Sequence, residues 1–291
     1  MDFKRLAVRS CLACAIGTTI VGCATHSGTA EVAAQAPPDQ SGAAAPAAAS
    51  APAAAAPAPA PVTAPKDQAA IDALTGMGDY LRSLPQFEVR ADSATDLVLD
   101  NGQNASFLHH TVLKVRRPNR MRADVTGSRK DRGIVYDGRD FTIFNLGEGY
   151  YSRNPAPATL DALVRELATT YNIDTPLADL FYWGNGKLDE LALTSAQTLG
   201  LERVDRRWCT HYAYQQSGVD WELWLEQGDH PLPCRMVITD TTQVSRPRHD
   251  VTYHWNTHPS FAASTFDWRP PAGSHRIELK PATAAPLQEA Q

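Results

Sequence analysis

Few side chains in this 291-residue chain stand where they could do chemistry. The five cysteines fall into two groups: Cys11, Cys14 and Cys23 near the N-terminus, and Cys209 with Cys234 far downstream. The downstream pair is an even number that invites a disulfide in an oxidising compartment. Strand register argues against it. Hairpins turning near Ser217-Gly218 and Gly228-Asp229 place both cysteines opposite about Leu225, two strand spacings or roughly 9–10 Å apart. A bridge accepts Cα atoms within ~7 Å, so pairing needs a bulge, or Cys234 leaving the ladder after Pro233. The nine histidines include His109-His110, His211, His249, His254 and His258. His254 and His258 are four apart but precede Pro259 at a strand-to-loop transition, where two imidazoles do not converge as they would on a helix. No metal site is expected. Asp189 and Glu190 are adjacent on an expected strand, so they point to opposite faces and cannot act together on one bond. No G-x-S-x-G, P-loop or strand-linked G-x-G-x-x-G occurs. Neither enzymatic activity nor a cofactor is expected.

Two further groups invite a contact reading. Lys114, Arg116, Arg117, Arg120, Arg122, Arg129, Lys130 and Arg132 are the one local cationic excess, suited to anionic headgroups or to a solvated strand face. With a net charge of −5 and no long basic run, no nucleic-acid partner is expected. Trp221 and Trp224 alternate faces, which puts one in the core and the other on the outer face as a candidate contact.

The N-terminus carries an address. Lys4, Arg5 and Arg9 precede an uncharged segment too short to span a bilayer, the pattern of an export signal. It ends in Ile20-Val21-Gly22-Cys23, which resembles a bacterial lipobox. That resemblance implies a signal peptide over 1–22 and lipidation at Cys23. Ala24 is not the aspartate that retains lipoproteins at the inner membrane of well-studied Gram-negative bacteria, so it also implies an outer-membrane destination. Between Ala36 and Pro65 lie eight prolines and 15 alanines with Asp39 as the only charge. Such a tract builds no core, and residues 23–66 read as a flexible tether reaching roughly 40 Å.

The elements that must position the remaining groups lie within 67–279. Asp67 can cap a helix carrying Ile71, Leu74, Met77, Leu81 and Leu84, ended by Pro85. From Phe87 the period changes to two, with Phe87, Val89 and Ala91, then Phe107, Thr111, Leu113 and Val115, then Met121, Ala123 and Val125. Ile134–Tyr136, Phe141–Phe144 and Tyr150-Tyr151 continue an antiparallel meander. Thr159 can cap a helix with Leu160, Leu163, Val164, Leu167 and Tyr171, and Thr175-Pro176 starts a second through Trp183. Strands resume over 188–198, 207–215, 219–226, 235–239 and 248–255, with another at Phe266. Residues 280–291 return to Ala/Pro composition and read as a flexible tail. The pattern is α+β: a single curved antiparallel sheet of about ten strands wrapped around a few helices.

Nearly the whole folded part resembles a family of predicted periplasmic proteins of unknown function, in the lipoprotein-carrier (LolA/LolB-like) half-barrel superfamily. The matching residues are Tyr80-Leu81, Val115-Arg116-Arg117-Pro118 with Arg120 and Arg122, Tyr136-Asp137-Gly138, Pro176–Leu180, Cys209 with His211, and Asp220-Trp221 with Trp224. Gly228-Asp229, Pro231-Leu232-Pro233, Val237–Thr239, Trp255-Asn256 and Phe266 through Pro270-Pro271 extend it. The resemblance implies a half-barrel enclosing an apolar cavity that receives acyl chains. Phe107, Leu113, Val115, Met121, Ala123, Ile143, Phe144, Leu163 and Leu167 are the candidate lining. The expected role is a lipid-anchored carrier of an acyl chain, lipid or lipoprotein. The alternative is an envelope scaffold whose sheet is filled by its own helices and which works through a protein partner.

Overall fold

The computed structural model describes residues 66–127, 131–183 and 191–282. Helix α1 (Gln68–Ser83) opens the chain, and strands β1 (Gln86–Val98), β2 (Asn104–Arg116), β3 (Arg120–Gly127), β4 (Arg132–Tyr136), β5 (Asp140–Asn145) and β6 (Tyr150–Pro155) follow. Helices α2 (Leu160–Thr170) and α3 (Asp179–Trp183) interrupt the strands. They resume as β7 (Ser195–Val204), β8 (Arg207–Gln216), β9 (Val219–Glu226), β10 (Pro233–Asp240) and β11 (Arg248–Asn256), and β12 (His275–Arg276) closes the series.

Among the described residues twelve strands form one open, curved sheet in the order β12-β6-β5-β4-β3-β2-β1-β11-β10-β9-β8-β7. Each neighbouring pair is antiparallel except β12, which lies parallel to β6. The count exceeds the expected ten or so: the segments read as strands account for β1–β11, and β12 adds a short edge beside β6. Phe266 sits in a 3-10 turn (Ala263–Phe266), not a strand, and β7 begins at Ser195. Two meanders, β1–β6 and β7–β11, meet where Val89, Ala91 and Ser93 pair with Trp255, Tyr253 and Val251. Helix α1 precedes the first meander and α2 and α3 fall between the two in sequence; all three pack on one face of the joined sheet.

Alternation decides which face. In β1 to β3 the odd residues Phe87, Val89, Ala91, Leu113, Val115, Met121 and Ala123 are all buried in one core. Leu223, Trp221, Met236, Val251 and Tyr253 extend that core across β9, β10 and β11. Helix α1 presents Ala70, Leu74, Met77 and Leu81 to it, at the three- and four-residue spacing of an amphipathic helix. The Asp67 carboxylate caps α1 by accepting from the Ala69 N–H, and its own N–H donates to Ala196 O. The start of the helix is thereby tied to edge strand β7. Leu279 packs on the same core, and the Ala282 N–H donates to Thr170 O at the end of α2. The lipobox with Cys23, the tether, Arg129, Lys130, Asp189 and Glu190 lie outside the described residues.

Candidate functional site

The concave face of the sheet and its helical cover form the first candidate site. Helix α2, capped by the Thr159 hydroxyl accepting from the Ala162 N–H, buries Leu160, Leu163, Val164 and Leu167. Helix α3 buries Leu180, Phe181 and Trp183. Trp183 stacks on Trp221 at 6.3 Å, and Trp221 stacks on Tyr214 at 4.2 Å. The Tyr214 hydroxyl donates to Ala70 O, joining sheet and α1 through a bond out of reach of water. α3 and α1 approach so closely at Gly78 that a Cβ there would lie 2.4 Å from Trp183 O. Glycine is what lets these two backbones meet.

The space enclosed beneath α3 is small, about 20 Å³, lined by Asp179, Trp183, Leu191, Val219, Trp221, Met236 and Ile238 among others. That holds about one water and no acyl chain. Leu113, Val115, Met121, Ala123, Leu163 and Leu167 are not part of its lining: each is fully buried in the main core. Ile143 is partly buried against the same core. Phe144 is a correction. It points to the opposite face, where it stacks on Trp268 at 5.0 Å and packs with Val135. Phe107 is only half-buried and stands outside the main core. The residue types suited a cavity wall; their common destination is explained by the helices having filled the concavity.

The cover itself is built under tension. Between α2 and β7, Asn172, Leu177 and Ala192 adopt left-handed backbone angles of 54°, 56° and 48°. Asparagine tolerates that region, but leucine and alanine sit there at a cost of about 1 kcal/mol or more each. The Thr175 hydroxyl is buried with no hydrogen-bond partner among the described residues. Part of residue Asp179 reaches solvent, yet its carboxyl packs among apolar groups. Desolvation, aided by Asp174, pushes its pKa up to about 6. Burial likewise drives the Tyr182 and Tyr253 hydroxyls well above their ordinary range.

The convex face carries a polar network. Cys209 and Cys234 form a disulfide with Cα atoms 6.7 Å apart. The register objection is met by a bulge between Pro233 and Arg235, which takes Cys234 out of the ladder. The bridge packs with Val204, Trp224 and Val237. His211 lies flat on Trp224 at 3.9 Å, with its ring nitrogens 3.2 Å from Glu202 and 3.1 Å from Glu222. The Trp224 indole N–H donates to Glu202, and Arg235 lies over the same indole while pairing with Asp250. Trp224, the outer-face candidate, is thus buried under its own neighbours. Beside it runs an open groove of about 790 Å³ lined by Asp92, His110, Glu202, Arg203, Arg235 and Asp250, among others. Its acids and bases largely satisfy each other: His110 meets Asp92 at 2.8 Å, and Arg235 holds Asp250 with two nitrogens.

Three members of the cationic segment are engaged within the domain. Arg122 bonds Asp124, Arg116 lies over Phe261 and Phe266, and Arg117 turns inward to Leu81 O, where desolvation lowers its pKa. On the concave side of β11, burial holds His249 down at about 4, with Nδ1 2.8 Å from the Thr95 hydroxyl. His258 Nδ1 lies 3.0 Å from the Thr257 hydroxyl, and His254 lies 3.8 Å from Asp92. Among the described residues no three His, Cys, Asp or Glu side chains converge as a metal would require.

A family model covers this whole arrangement, matching residues 70–280. The chain belongs to the DUF2092 family of predicted periplasmic proteins. The match runs from the first turn of α1 to beyond β12. No curated protein matches the sequence. Among solved structures, an uncharacterized conserved protein from Thermus thermophilus is similar at 11% identity, over 72% of this chain and 99% of that one, with a TM-score of 0.41. The Mycobacterium tuberculosis lipoprotein LppX is similar at 15% identity, over 67% and 99%, with a TM-score of 0.40. A LolA superfamily protein from Nitrosomonas europaea is similar at 14% identity, over 68% and 97%, with a TM-score of 0.33.

Sequence reasoning missed Asp179, the pairing of His211 with Glu202 and Glu222, and the exposed Trp208. Asp179 had a readable signal: a carboxylate directly before Leu180-Phe181, on a helix expected to cover an apolar sheet. The histidine network had none, since its members come from three strands whose register a bulge at Thr198/Gly200 shifts.

Proposed function

We propose that the chain is a non-enzymatic periplasmic binding protein for an acyl chain, held to the outer membrane by lipid on Cys23. In this reading the ligand takes the place now held by the α2–α3 cover. The observation that carries it is the character of that cover. A five-residue helix, two non-glycine aliphatic residues in left-handed conformation and a desolvated carboxylate lie over Trp221, Leu223, Met236 and Ile238. Such a segment sits at the low-stability end of a fold, and swinging it aside uncovers an apolar concave wall. Burial of an acyl chain there would contribute about 0.8 kcal/mol per methylene, enough to compensate for lifting a strained cover.

A second reading is favoured by the filled concavity: Leu113, Val115, Met121 and Ala123 are all at 0% exposure, so the sheet has already satisfied its own apolar face. On that reading the domain is a scaffold acting through a protein partner. Ligand content separates the two. Native mass spectrometry of protein extracted from membranes should show a co-purifying lipid, and delipidated protein should bind a fluorescent fatty acid saturably. Absence of both removes the carrier reading. The anchor is tested by Cys23→Ala, expected to release the protein from the outer-membrane fraction; unchanged fractionation would remove the lipid anchor.

A further inference from the structure

The end of the β7–β8 hairpin carries apolar surface that the core does not use. Leu199, Leu201 and Trp208 are each 54% exposed, whereas Trp183, Trp221, Trp224 and Trp268 are buried. The alternation of the strands explains how this surface arises. Val204 and Cys209 pack with Trp224, Cys234 and Val237 on the convex face, so the alternate residues Leu201, Arg203 and Trp208 point away from that cluster. Trp208 stands opposite Arg203 in the ladder, and Arg203 lies over its indole at 5.5 Å. Leu201 is the next residue on the same face, and Leu199 is the extra residue of the bulge between Thr198 and Gly200. The disulfide and the Arg207 bond to Tyr253 O hold the hairpin end in place. Rigid exposed leucines and a tryptophan are an arrangement for contact, since a freely solvated hairpin gains nothing from them.

Two observations say what they contact. The first is charge. Arg203 and Arg206 are exposed at the hairpin end and Lys66 at its base. Of the acids nearby, Glu202 is engaged by Trp224 and His211 on the convex face and Asp67 accepts from the Thr198 hydroxyl, which leaves Asp205 at the turn. An indole and leucines edged by guanidinium groups suit the headgroup level of an anionic phospholipid surface, where the rings bury apolar area and the cations meet phosphate. The second is the path of the chain. Lys66 bridges to Ala196 on β7, and the Asp67 N–H donates to Ala196 O. The N-terminal segment that includes Cys23 therefore joins the domain on the same edge strand, three to five residues or roughly 10–17 Å from Leu199 and Leu201.

We propose that the β7–β8 hairpin is a membrane-docking element, which seats the domain on the phospholipid surface with Trp208, Leu201 and Leu199 in the interface and Arg203 and Arg206 against phosphates. This rests on the reading of the chain as a membrane-tethered periplasmic protein and adds an orientation to it. The tether limits distance; the hairpin sets which face meets the lipid.

The experiment uses the full chain carrying Cys23→Ala, so that no acyl anchor contributes. Its partition onto vesicles of phosphatidylethanolamine and phosphatidylglycerol is compared by co-sedimentation with that of the same chain bearing Leu201→Ser and Trp208→Ser. The parent should bind and shift its tryptophan emission to the blue. The double substitution should lower partition at least tenfold with an unchanged melting temperature, and Arg203→Glu with Arg206→Glu should lower it chiefly on the anionic vesicles. If the substitutions unfold the protein, quenching by bromine-labelled lipid in the parent still reads whether its tryptophans enter the interface. Equal partition of parent and variants, no quenching, or loss of a self-association in place of lipid binding would each overturn the proposal. Fatty-acid binding is measured in parallel. Intact binding with no docking removes this inference alone, and docking with no fatty-acid binding removes the carrier reading alone.

Discussion

At Asp179 packing and electrostatics oppose each other. The position suits the short helix α3, but the carboxyl lies over an apolar pocket beside Trp221 and Ile238, and its pKa rises from 3.8 to about 6. Below the unfolded pKa both states hold the proton and the group costs nothing. As pH rises towards 6 the unfolded chain ionises first, and stability falls until the folded carboxyl is ionised as well. Asp179→Asn should therefore raise the unfolding free energy at pH 7.5 by up to about 3 kcal/mol and leave it nearly unchanged near pH 3.5. Denaturant titrations at the two pH values measure this. An equal gain at both would mean that the carboxylate does not feel its surroundings in this way.

Element by element, what could be read from sequence were the parts with a simple period. Helix α1 and its Asp67 cap, the alternation through β1–β3 and the Thr159 cap of α2 follow from local residue spacing. Strand β12, the 3-10 turn at Phe266 and the fate of Phe144 did not, because each is decided by a distant partner: Tyr150 and Tyr151 for β12, Arg116 for Phe266, Trp268 for Phe144. The disulfide was undecidable for the same reason, since a one-residue bulge at Cys234 outweighs the whole register argument. The cover gives an element-scale test. Gly78 is where α1 and α3 touch, and Gly78→Ala places a methyl group against Trp183 O. Either α3 lifts or α1 shifts, at about 1–3 kcal/mol. If α3 is the weaker partner, proteolysis should concentrate in residues 171–183 and fatty-acid probe affinity should rise. Cleavage spread evenly over the domain would show that the cover is no softer than the sheet.

At the scale of the molecule, two meanders depend on one seam. Among the described residues, the pairing of β1 with β11 is the one link in the sheet between β1–β6 and β7–β11, and the helices lie over a core that draws residues from both. Neither half covers its own apolar face without the other, so the described domain should unfold in one cooperative transition despite its visible division. Trp208, Trp221, Trp224 and Trp255 sit on β8, β9 and β11 and weight fluorescence towards the second meander, although Trp268 stacks on Phe144 of β5, while far-UV circular dichroism reports both. The two signals should trace coincident denaturation curves. Val89→Ala, fully buried at the seam opposite Trp255, should move both curves together by about 2 kcal/mol. Were the halves independent, this substitution in β1 would shift the dichroism and leave most of the fluorescence change, that of the four tryptophans on β8, β9 and β11, where it was.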